Sequence, residues 1–283
     1  MSDRIHILLP VHNRREITRR FIGCLKRQTY TRYHLILLDD GSTDGTAEMV
    51  REHIRELTII TGKGDWWWAG ALHAGYQWLK QHKPPLSDIV LLINDDTEFD
   101  PDFLEKAITA LRNKPKTFLL ARSYNRQTGK LDDAGIHVDW KRFSFEQPSP
   151  AKQVNCMSTR GLFFRVGDFF MVGGFHPRLL PHYGSDYEFT IRARRKGMNL
   201  ATDPSVAIRL DVSATGYHGG GNKSFLHTLK AVFSRRSAIS PLTLAVFVAL
   251  ACPWPWKFVC WYRILWLSVT QGWALLMRRA PVR

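Results

Sequence analysis

Three short apolar runs in this chain each end in a cluster of polar residues. Residues 5–9, 35–38 and 89–93 are dominated by Ile, Leu and Val, and they lead directly into Pro10-Val11-His12-Asn13, Asp39-Asp40-Gly41-Ser42 and Asn94-Asp95-Asp96. Apolar runs of this length, bounded by turn residues, are typical of buried parallel strands. In an open α/β sheet, ligands bind outside the carboxyl ends of the strands. The pattern therefore predicts carboxylates gathered at one sheet edge, where a nucleotide and a divalent cation could be held.

Strand and helix patterns alternate through the first half of the chain. Strands are predicted at 58–60, 118–121 and 206–210 besides the three runs, and helices at 17–25, 43–55, 68–80, 101–111, 166–172 and 186–196. Residues 123–153 lose this periodicity and favour a hairpin excursion. Repeated βα units with short connections imply parallel strands joined by right-handed crossovers. We therefore expect an α/β fold with a mostly parallel sheet flanked by helices, followed by an apolar helical appendage.

The charge of the chain restricts its partners. Its 40 Lys and Arg against 25 Asp and Glu give a net charge of +15 over 283 residues, and such an excess favours polyanions. Two basic pairs, Arg235-Arg236 and Arg278-Arg279, flank the most apolar part of the chain. That placement favours an anionic membrane surface. No nucleic-acid-binding signature is present, so nucleic acid is not an expected partner.

Cysteine usage and the N-terminus bear on localisation. Cys24, Cys156, Cys252 and Cys260 form no CxxC pair, so we expect them to be reduced and buried in a cytosolic protein. Met1 runs almost directly into the first predicted strand, without the pattern of a signal peptide. The expected location is the cytoplasm, peripherally at the inner face of the cell membrane.

We predict a domain boundary at about residue 225, with a main domain over residues 1–225 and a helical segment over residues 226–283. Residues 242–252 are too short to span a bilayer, and residues 258–277 carry Arg263. Tryptophans in this segment suit a membrane–water interface, which predicts two helices lying in the membrane plane. The alternative is a helical hairpin that packs on the main domain or on a second subunit.

The acidic pair of Asn94-Asp95-Asp96 suits a metal. Adjacent carboxylates repel each other unless a cation or hydrogen bonds compensate, and Mg²⁺ or Mn²⁺ takes such oxygen ligands together with substrate phosphates. A solvated Asp-rich turn is the alternative for this motif alone. A second acidic motif at another strand end, Asp39-Asp40, makes coincidence less credible.

These motifs together resemble the nucleotide-diphospho-sugar core of family 2 inverting glycosyltransferases, which have the GT-A fold. The resemblance covers about residues 5–225 and includes Tyr183-Gly184-Ser185-Asp186-Tyr187-Glu188, which is similar to the acidic acceptor-side motif of the family. Ser185 stands where that motif usually has its first acid. The resemblance therefore implies Asp186 as the catalytic base, with Glu188 a less certain contributor.

The resemblance also implies a donor site and a metal site. The nucleotide-binding set would be Pro10, Asn13, Asp39, Asp40, Asp65 and Asp95, with Pro10 and Asp40 at the nucleobase and Asp95 at the ribose or metal. Asp96 and the late His218 would coordinate Mg²⁺ or Mn²⁺, although a lone histidine is often structural. Asp65 opens the segment Asp65-Trp66-Trp67-Trp68, whose WW-containing relatives include rhamnosyltransferases of bacterial surface polysaccharides. Two of the three tryptophans are expected in the core.

The expected function is a metal-dependent inverting glycosyltransferase that moves a sugar from a UDP- or dTDP-sugar to a saccharide acceptor, lipid-linked, in cell-surface polysaccharide synthesis. At a helix start, the helix dipole is expected to keep the pKa of Asp186 low. A nucleotidyltransferase is the nearest alternative, but residues 10–15 lack a glycine-rich phosphate loop. A non-catalytic membrane-associated binding protein and a homodimer remain open.

Overall fold

The computed structural model describes residues 3–211 and 240–277, with side chains through residue 268. The strands are β1 (Ile5–Val11), β2 (Tyr33–Asp39), β3 (Leu57–Thr61), β4 (Ile89–Leu92), β5 (Thr97–Glu98), β6 (Thr117–Asn125), β7 (Leu131–Asp133), β8 (His137–Asp139), β9 (Ser144–Glu146), β10 (Leu162–Arg165) and β11 (Asn199–Leu210). The helices are α1 (Arg15–Lys26), α2 (Thr46–His53), α3 (Trp67–His82), α4 (Phe103–Leu111), α5 (Val166–Val172), α6 (Ser185–Arg195), α7 (Pro241–Ala251) and α8 (Trp256–Met277).

A central sheet runs in the order β3-β2-β1-β4-β10-β6-β11-β5. The first four strands of this order are parallel to one another, and β11 is parallel to β6. β10 lies antiparallel between β4 and β6. The sheet confirms the predicted α/β class. The sequence patterns did not predict β5, which has two residues, or β10, which continues without a break into α5.

The strands β1, β2 and β4 bury both of their faces, as parallel strands in a three-layer fold must. Ile7 and Leu9 of β1 point into an apolar cluster that also holds α1, α2 and α4, whereas Leu8 between them points into the cluster of α3, α5 and α6. This alternation follows from the two-residue period of a strand. It leaves the carboxyl ends of β1 and β4 side by side, since Leu8 is paired with Leu92.

Helix α7 packs on the main domain. Phe247 and Ala251 share an apolar cluster with Val138 of β8 and Ile191 of α6. The guanidinium of Arg195 donates to the last carbonyl oxygens of α7, those of Leu250 (2.9 Å) and Ala251. Helix α7 thus packs on the main domain, which was the alternative to a helix lying in the membrane plane.

Helix α8 buries one side and exposes the other. On its buried side, Cys260 and Ile264 pack against Val248 and Cys252 at the end of α7. On its other side, Phe258, Tyr262 and Leu265 are 57%, 69% and 64% exposed. Among the helices described, none is long and apolar enough to cross a membrane. All four cysteines are buried and free of disulfides, as predicted.

Candidate active site

A cavity of about 320 Å³ opens beside the carboxyl ends of β1 and β4. Its walls come from the loops after those strands, from the start of α3 and from the segments before β10 and α6. The lining residues are Pro10, Val11, His12, Arg14, Asp40, Trp67, Trp68, Ala71, Asn94, Asp95, Asp96, Arg160, His182 and Tyr183. The parallel pairing of β1 and β4 therefore brings the acidic motif and Pro10 together, as the sequence predicts.

Asp95 is held by helix α1. Its Oδ2 accepts a hydrogen bond from Thr18 Oγ1 at 2.9 Å and lies 3.1 Å from Arg14 Nε. Burial raises the pKa of Asp95 to about 6; the nearby Arg14 opposes this rise and the neighbouring Asp96 adds to it. Arg14 and Thr18 were not among the predicted site residues, although the basic pair Arg14-Arg15 just after β1 was a visible signal.

Asp96 and Asn94 carry oxygens that fit a metal. The side-chain Oδ1 atoms of both are buried, and neither has a hydrogen-bond partner among the residues that the structure describes. Burying a polar oxygen without a partner is costly, and a hard cation that takes oxygen ligands would offset that cost. No cluster of three or more His, Cys, Asp and Glu side chains suited to a metal occurs within the described ranges. His218, predicted as a further ligand, lies outside them.

The carboxylate of Asp40 organises the loop that enters α3. Its Oδ1 accepts the backbone N–H of Gly64 at 2.9 Å, and its Oδ2 accepts those of Trp66 (2.9 Å) and Trp67 (3.1 Å). A Cβ at Gly62 would lie 2.7 Å from Asp40 Oδ1, so this close approach requires glycine. Asp40 thus lines the cavity and also fixes the backbone of its neighbour Trp67.

Three residues predicted to bind the nucleotide-sugar donor do not line the cavity: Asn13, Asp39 and Asp65. Asn13 Oδ1 accepts the N–H of Thr43 at 2.8 Å, and Asp39 Oδ1 accepts that of Ser42 at 2.9 Å. Both side chains brace the turn between β2 and α2. Asp65 is exposed on the loop before α3.

The three consecutive tryptophans have different environments. Trp66 and Trp68 pack against the apolar cluster of α3 and α5, as expected of two of the three, and Trp68 also reaches the cavity. Trp67 faces the cavity, with its ring centroid 5.7 Å from that of His182 in an edge-on contact. Its φ of 55° is rare for a bulky residue, and such strain concentrates at ligand sites.

Asp186 lies in the first turn of α6, shortly after Tyr183, which lines the cavity; Asp186 itself is not one of the lining residues. It accepts the N–H of Tyr187 at 2.9 Å, and its carboxyl remains close enough to Arg160, a cavity residue, to be influenced by its charge. Although the residue retains some exposure, burial raises the pKa of Asp186 to about 6, with Arg160 lowering it and Asp133 raising it. The expectation of a low pKa was wrong, because burial outweighs the helix terminus.

Glu188 has a different environment from Asp186. Glu188 is buried and forms a bidentate ion pair with Arg192, with N–O distances of 2.8 and 3.0 Å. Arg192 also donates to the carbonyl oxygens of Val172 and Gly174. The pair therefore fastens α6 to the end of α5. Ser185, at the departure from the family motif, donates to the carbonyl oxygen of His182 at 2.6 Å.

Comparisons with known proteins agree with this architecture. Residues 6–172 match the profile of glycosyl transferase family 2, which confirms the expectation of an enzyme of the glycosyltransferase class. The matched region contains the acidic strand-end motifs and ends before Asp186. A search of the curated proteins finds no significant match.

Solved structures share the fold at low sequence identity. GalNAc-T7, solved with UDP, GalNAc and Mn²⁺, superposes with a TM-score of 0.63 at 15% identity, over 80% of this chain and 47% of its own. The mannosyltransferase PcManGT from Pyrobaculum calidifontis, solved with GDP-Man and Mn²⁺, superposes with a TM-score of 0.57 at 16% identity. The match covers 98% of this chain and 79% of PcManGT. S. aureus TarS residues 1–349, solved with UDP-GlcNAc, superposes with a TM-score of 0.61 at 13% identity. The match covers 93% of this chain and 71% of that TarS chain. This chain thus spans about half the length of GalNAc-T7.

Proposed function

The chain belongs to glycosyl transferase family 2, and on that premise we propose that it is a metal-dependent inverting glycosyltransferase that uses a nucleotide-diphospho-sugar donor. The observation that carries the proposal is the cavity where Asp95, Asp96 and Asp40 meet, with the buried Oδ1 of Asp96 lacking a hydrogen-bond partner among the described residues. Similar folds have been solved with UDP- or GDP-linked sugars. We propose a UDP- or dTDP-sugar for this chain.

The proposed metal site consists of Asp96, with Asp95 beside it and His218 from outside the described residues. A bound Mg²⁺ or Mn²⁺ ion would stabilise the charge that develops on the leaving diphosphate. Asp40 holds the loop of Trp67, whose ring forms one wall of the cavity. Pro10 lines the cavity, and we assign its backbone to the nucleobase side. Asn13 and Asp39 would keep the neighbouring turn in place for the donor.

Asp186 is the proposed general base. The acceptor hydroxyl gives its proton to the Asp186 carboxylate while its oxygen bonds to the anomeric carbon, and the bond from that carbon to the diphosphate oxygen breaks. A single displacement of this kind inverts the anomeric centre. Burial raises the pKa of Asp186 to about 6, so the group is ionised at neutral pH and is a stronger proton acceptor than an ordinary aspartate.

The proposed acceptor is a saccharide, lipid-linked, in bacterial cell-surface polysaccharide synthesis such as that of O-antigen. Support comes from the exposed apolar side of α8, where Phe258, Tyr262 and Leu265 follow one another at helical spacing. Arg142 and Arg263 border the same side of the molecule in a groove with Trp266. Aromatic and aliphatic side chains beside arginines suit the surface of an anionic bilayer. A peripheral position at the inner face of the cell membrane would bring such an acceptor to the enzyme.

A donor-hydrolysis screen tests the function without knowledge of the acceptor. Wild type and Asp96→Ala are incubated with UDP-, dTDP- and GDP-sugars in Mn²⁺, in Mg²⁺ or in chelator, and released nucleoside diphosphate is measured. We expect slow release of one nucleoside diphosphate, dependent on metal and abolished by Asp96→Ala. Release of a nucleoside monophosphate, or no release from any donor by wild type, would contradict the proposal.

A further inference from the structure

The acidic pair after β4 already has a cation beside it that the chain itself supplies. Arg14 directs its guanidinium to both carboxylates, with Nε 3.1 Å from Asp95 Oδ2 and Nη2 3.5 Å from Asp96 Oδ2. The two carboxylate side chains are 5% and 4% exposed. Two adjacent buried carboxylates are unfavourable without a nearby positive charge. Arg14 provides that charge in the protein as folded.

The backbone fixes where this guanidinium can reach. The carbonyl oxygen of Arg14 accepts the N–H of Thr18 at 2.8 Å and so starts helix α1. Thr18 then donates from its own side chain to the same Asp95 oxygen that Arg14 contacts. One turn of helix therefore gives Asp95 a neutral hydrogen bond and a charged partner. The two contacts can be removed separately.

Arg14 also lines the cavity together with Asp96. Its charge therefore lies beside the unpartnered Asp96 Oδ1, which we have proposed as a metal ligand. A guanidinium cannot lose its proton in this setting, so it repels a second cation that binds the same pair.

We propose that Arg14 is a positioning residue that stands in for the divalent cation: it neutralises the Asp95–Asp96 pair in the metal-free protein and lowers the affinity of the site for metal. This inference rests on the proposed metal-dependent function. Its consequence is that the metal binds well only when a diphosphate is present, because the donor's negative charge offsets the arginine. The protein would then take up metal together with the donor and bind little of it alone.

Removing the charge of Arg14 should strengthen metal binding. Replacing Arg14 by Gln should tighten binding of Mn²⁺ alone, on the order of tenfold, since a unit positive charge is removed from within several ångströms of the ion. It should also lower the thermal midpoint in chelator, because the carboxylate pair loses its nearby cation. A purely structural role for Arg14 would lower the stability as well, but it would weaken Mn²⁺ binding.

The experiment is calorimetric titration of Mn²⁺ into the full chain at pH 8 without nucleotide, for wild type, Arg14→Gln, Arg14→Lys and Thr18→Val. Arg14→Lys keeps the charge and should return the affinity toward that of wild type. Thr18→Val removes the neutral hydrogen bond to Asp95 and should leave Mn²⁺ binding unchanged or weaker. Arg15→Gln, an exposed change of the same charge one residue away, should have a much smaller effect than Arg14→Gln.

Thermal melts give an independent measure on the same proteins. The increase in midpoint on adding Mn²⁺ should be larger for Arg14→Gln than for wild type. If wild type binds Mn²⁺ and Arg14→Gln binds it equally or more weakly, the inference is wrong while the proposed function stands. If Arg14→Gln, like wild type, binds no Mn²⁺ in the absence of nucleotide, the inference is wrong. If a repeat of the titration with UDP or dTDP present also shows no binding by either protein, the proposed metal dependence is wrong as well.

Discussion

Asp40 holds Trp67 in a left-handed backbone conformation: its Oδ2 accepts the Trp67 N–H at 3.1 Å, and the φ of Trp67 is 55°. The same carboxylate binds the N–H groups of Gly64 and Trp66. A residue expected to contact a ligand is therefore also the residue that shapes the cavity wall formed by Trp67. Effects of changing Asp40 on donor binding and on stability should appear together.

Asp40→Asn tests this double role. An amide has only one oxygen to accept the three backbone N–H groups, so we expect a loss of about 1.5–3 kcal/mol in the free energy of unfolding and weaker donor binding. Urea denaturation and calorimetry measure the two effects. Asp65→Asn, on the exposed part of the same loop, is the control and should stay within about 0.5 kcal/mol of wild type in stability. Equal stability of Asp40→Asn and wild type would contradict the role of Asp40 in the loop.

Asp96→Ala tests the metal site directly. The residue follows β4 and its Oδ1 has no partner among the described residues, so its removal should leave the fold intact and abolish metal-dependent nucleotide binding. Calorimetric titration of UDP or dTDP in Mn²⁺, with circular dichroism as the check on folding, measures this. Unchanged nucleotide affinity in Mn²⁺ would remove Asp96 from the metal site.

Asp186→Asn tests the base. We expect kcat to fall by roughly 10²-fold or more while donor affinity stays near that of wild type, since only a proton acceptor is lost. In wild type, kcat at saturating donor should fall about tenfold per pH unit below the Asp186 pKa of about 6, because the base must be ionised. Asp95 has a similar pKa, and its protonation should appear in donor affinity. A collapse of donor binding in Asp186→Asn would make Asp186 a donor ligand or a structural residue.

The same substitution should change stability in the opposite direction to activity. The folded protein holds a proton on Asp186 up to a pH of about 6, against an ordinary pKa of 3.8. Its contribution to stability is therefore fully present below pH 3.8 and is lost as the pH rises through about 6. Asn carries no such cost, so Asp186→Asn should stabilise the protein by about 1 kcal/mol at pH 7.5 after allowance for partial exposure. Destabilisation would show that its carboxylate makes a structural contact.

Glu188→Gln distinguishes the second acid of the acceptor motif from the first. Glu188 is buried and paired with Arg192. Removing its charge leaves the guanidinium of Arg192 without a counter-charge, so we expect the free energy of unfolding to fall by about 3 kcal/mol. In the folded protein kcat should stay within severalfold of wild type. Urea denaturation and initial rates well below the unfolding temperature measure both. A fall in kcat as large as that of Asp186→Asn would give Glu188 a catalytic part.

The exposed side of α8 makes the membrane proposal testable by point substitution. Because α7 packs into the main domain, deleting the whole tail would uncover apolar surface and confuse the result. Tyr262→Glu with Leu265→Glu should instead abolish flotation with anionic vesicles, and high salt should weaken flotation of wild type. Leu86→Glu with Leu131→Glu adds the same charge at exposed apolar positions elsewhere and should float like wild type.

A second outcome of that experiment identifies the other reading of α8. If wild type floats at no salt concentration, and Tyr262→Glu with Leu265→Glu converts a dimer into a monomer on size exclusion with light scattering, the apolar side is a subunit interface. The membrane proposal would then be wrong.

The local residue patterns are enough to predict the central sheet of this protein. Runs such as residues 35–38, followed by Asp39-Asp40, specify both a buried strand and the polar end where it stops, since the two-sided burial of parallel strands makes them continuous apolar runs. That local information was enough for the α/β class and for bringing the acidic motif to the edge beside Pro10. It also led to the expectation that two of the three tryptophans lie in the core; Trp66 and Trp68 pack against the core and are partly buried.

The surroundings of each charged group, in contrast, depend on how the whole chain folds. Asp186 and Glu188 are two residues apart in one helix, yet burial raises the pKa of Asp186 to about 6 while Arg192 neutralises Glu188. Arg14 meets Asp95 across more than eighty positions of sequence. Desolvation and pairing depend on groups brought together from distant parts of the chain, so no local pattern contains them. For the same reason the sequence marks α7 as apolar, whereas its packing partners on α6 and β8 are seen only in the folded chain.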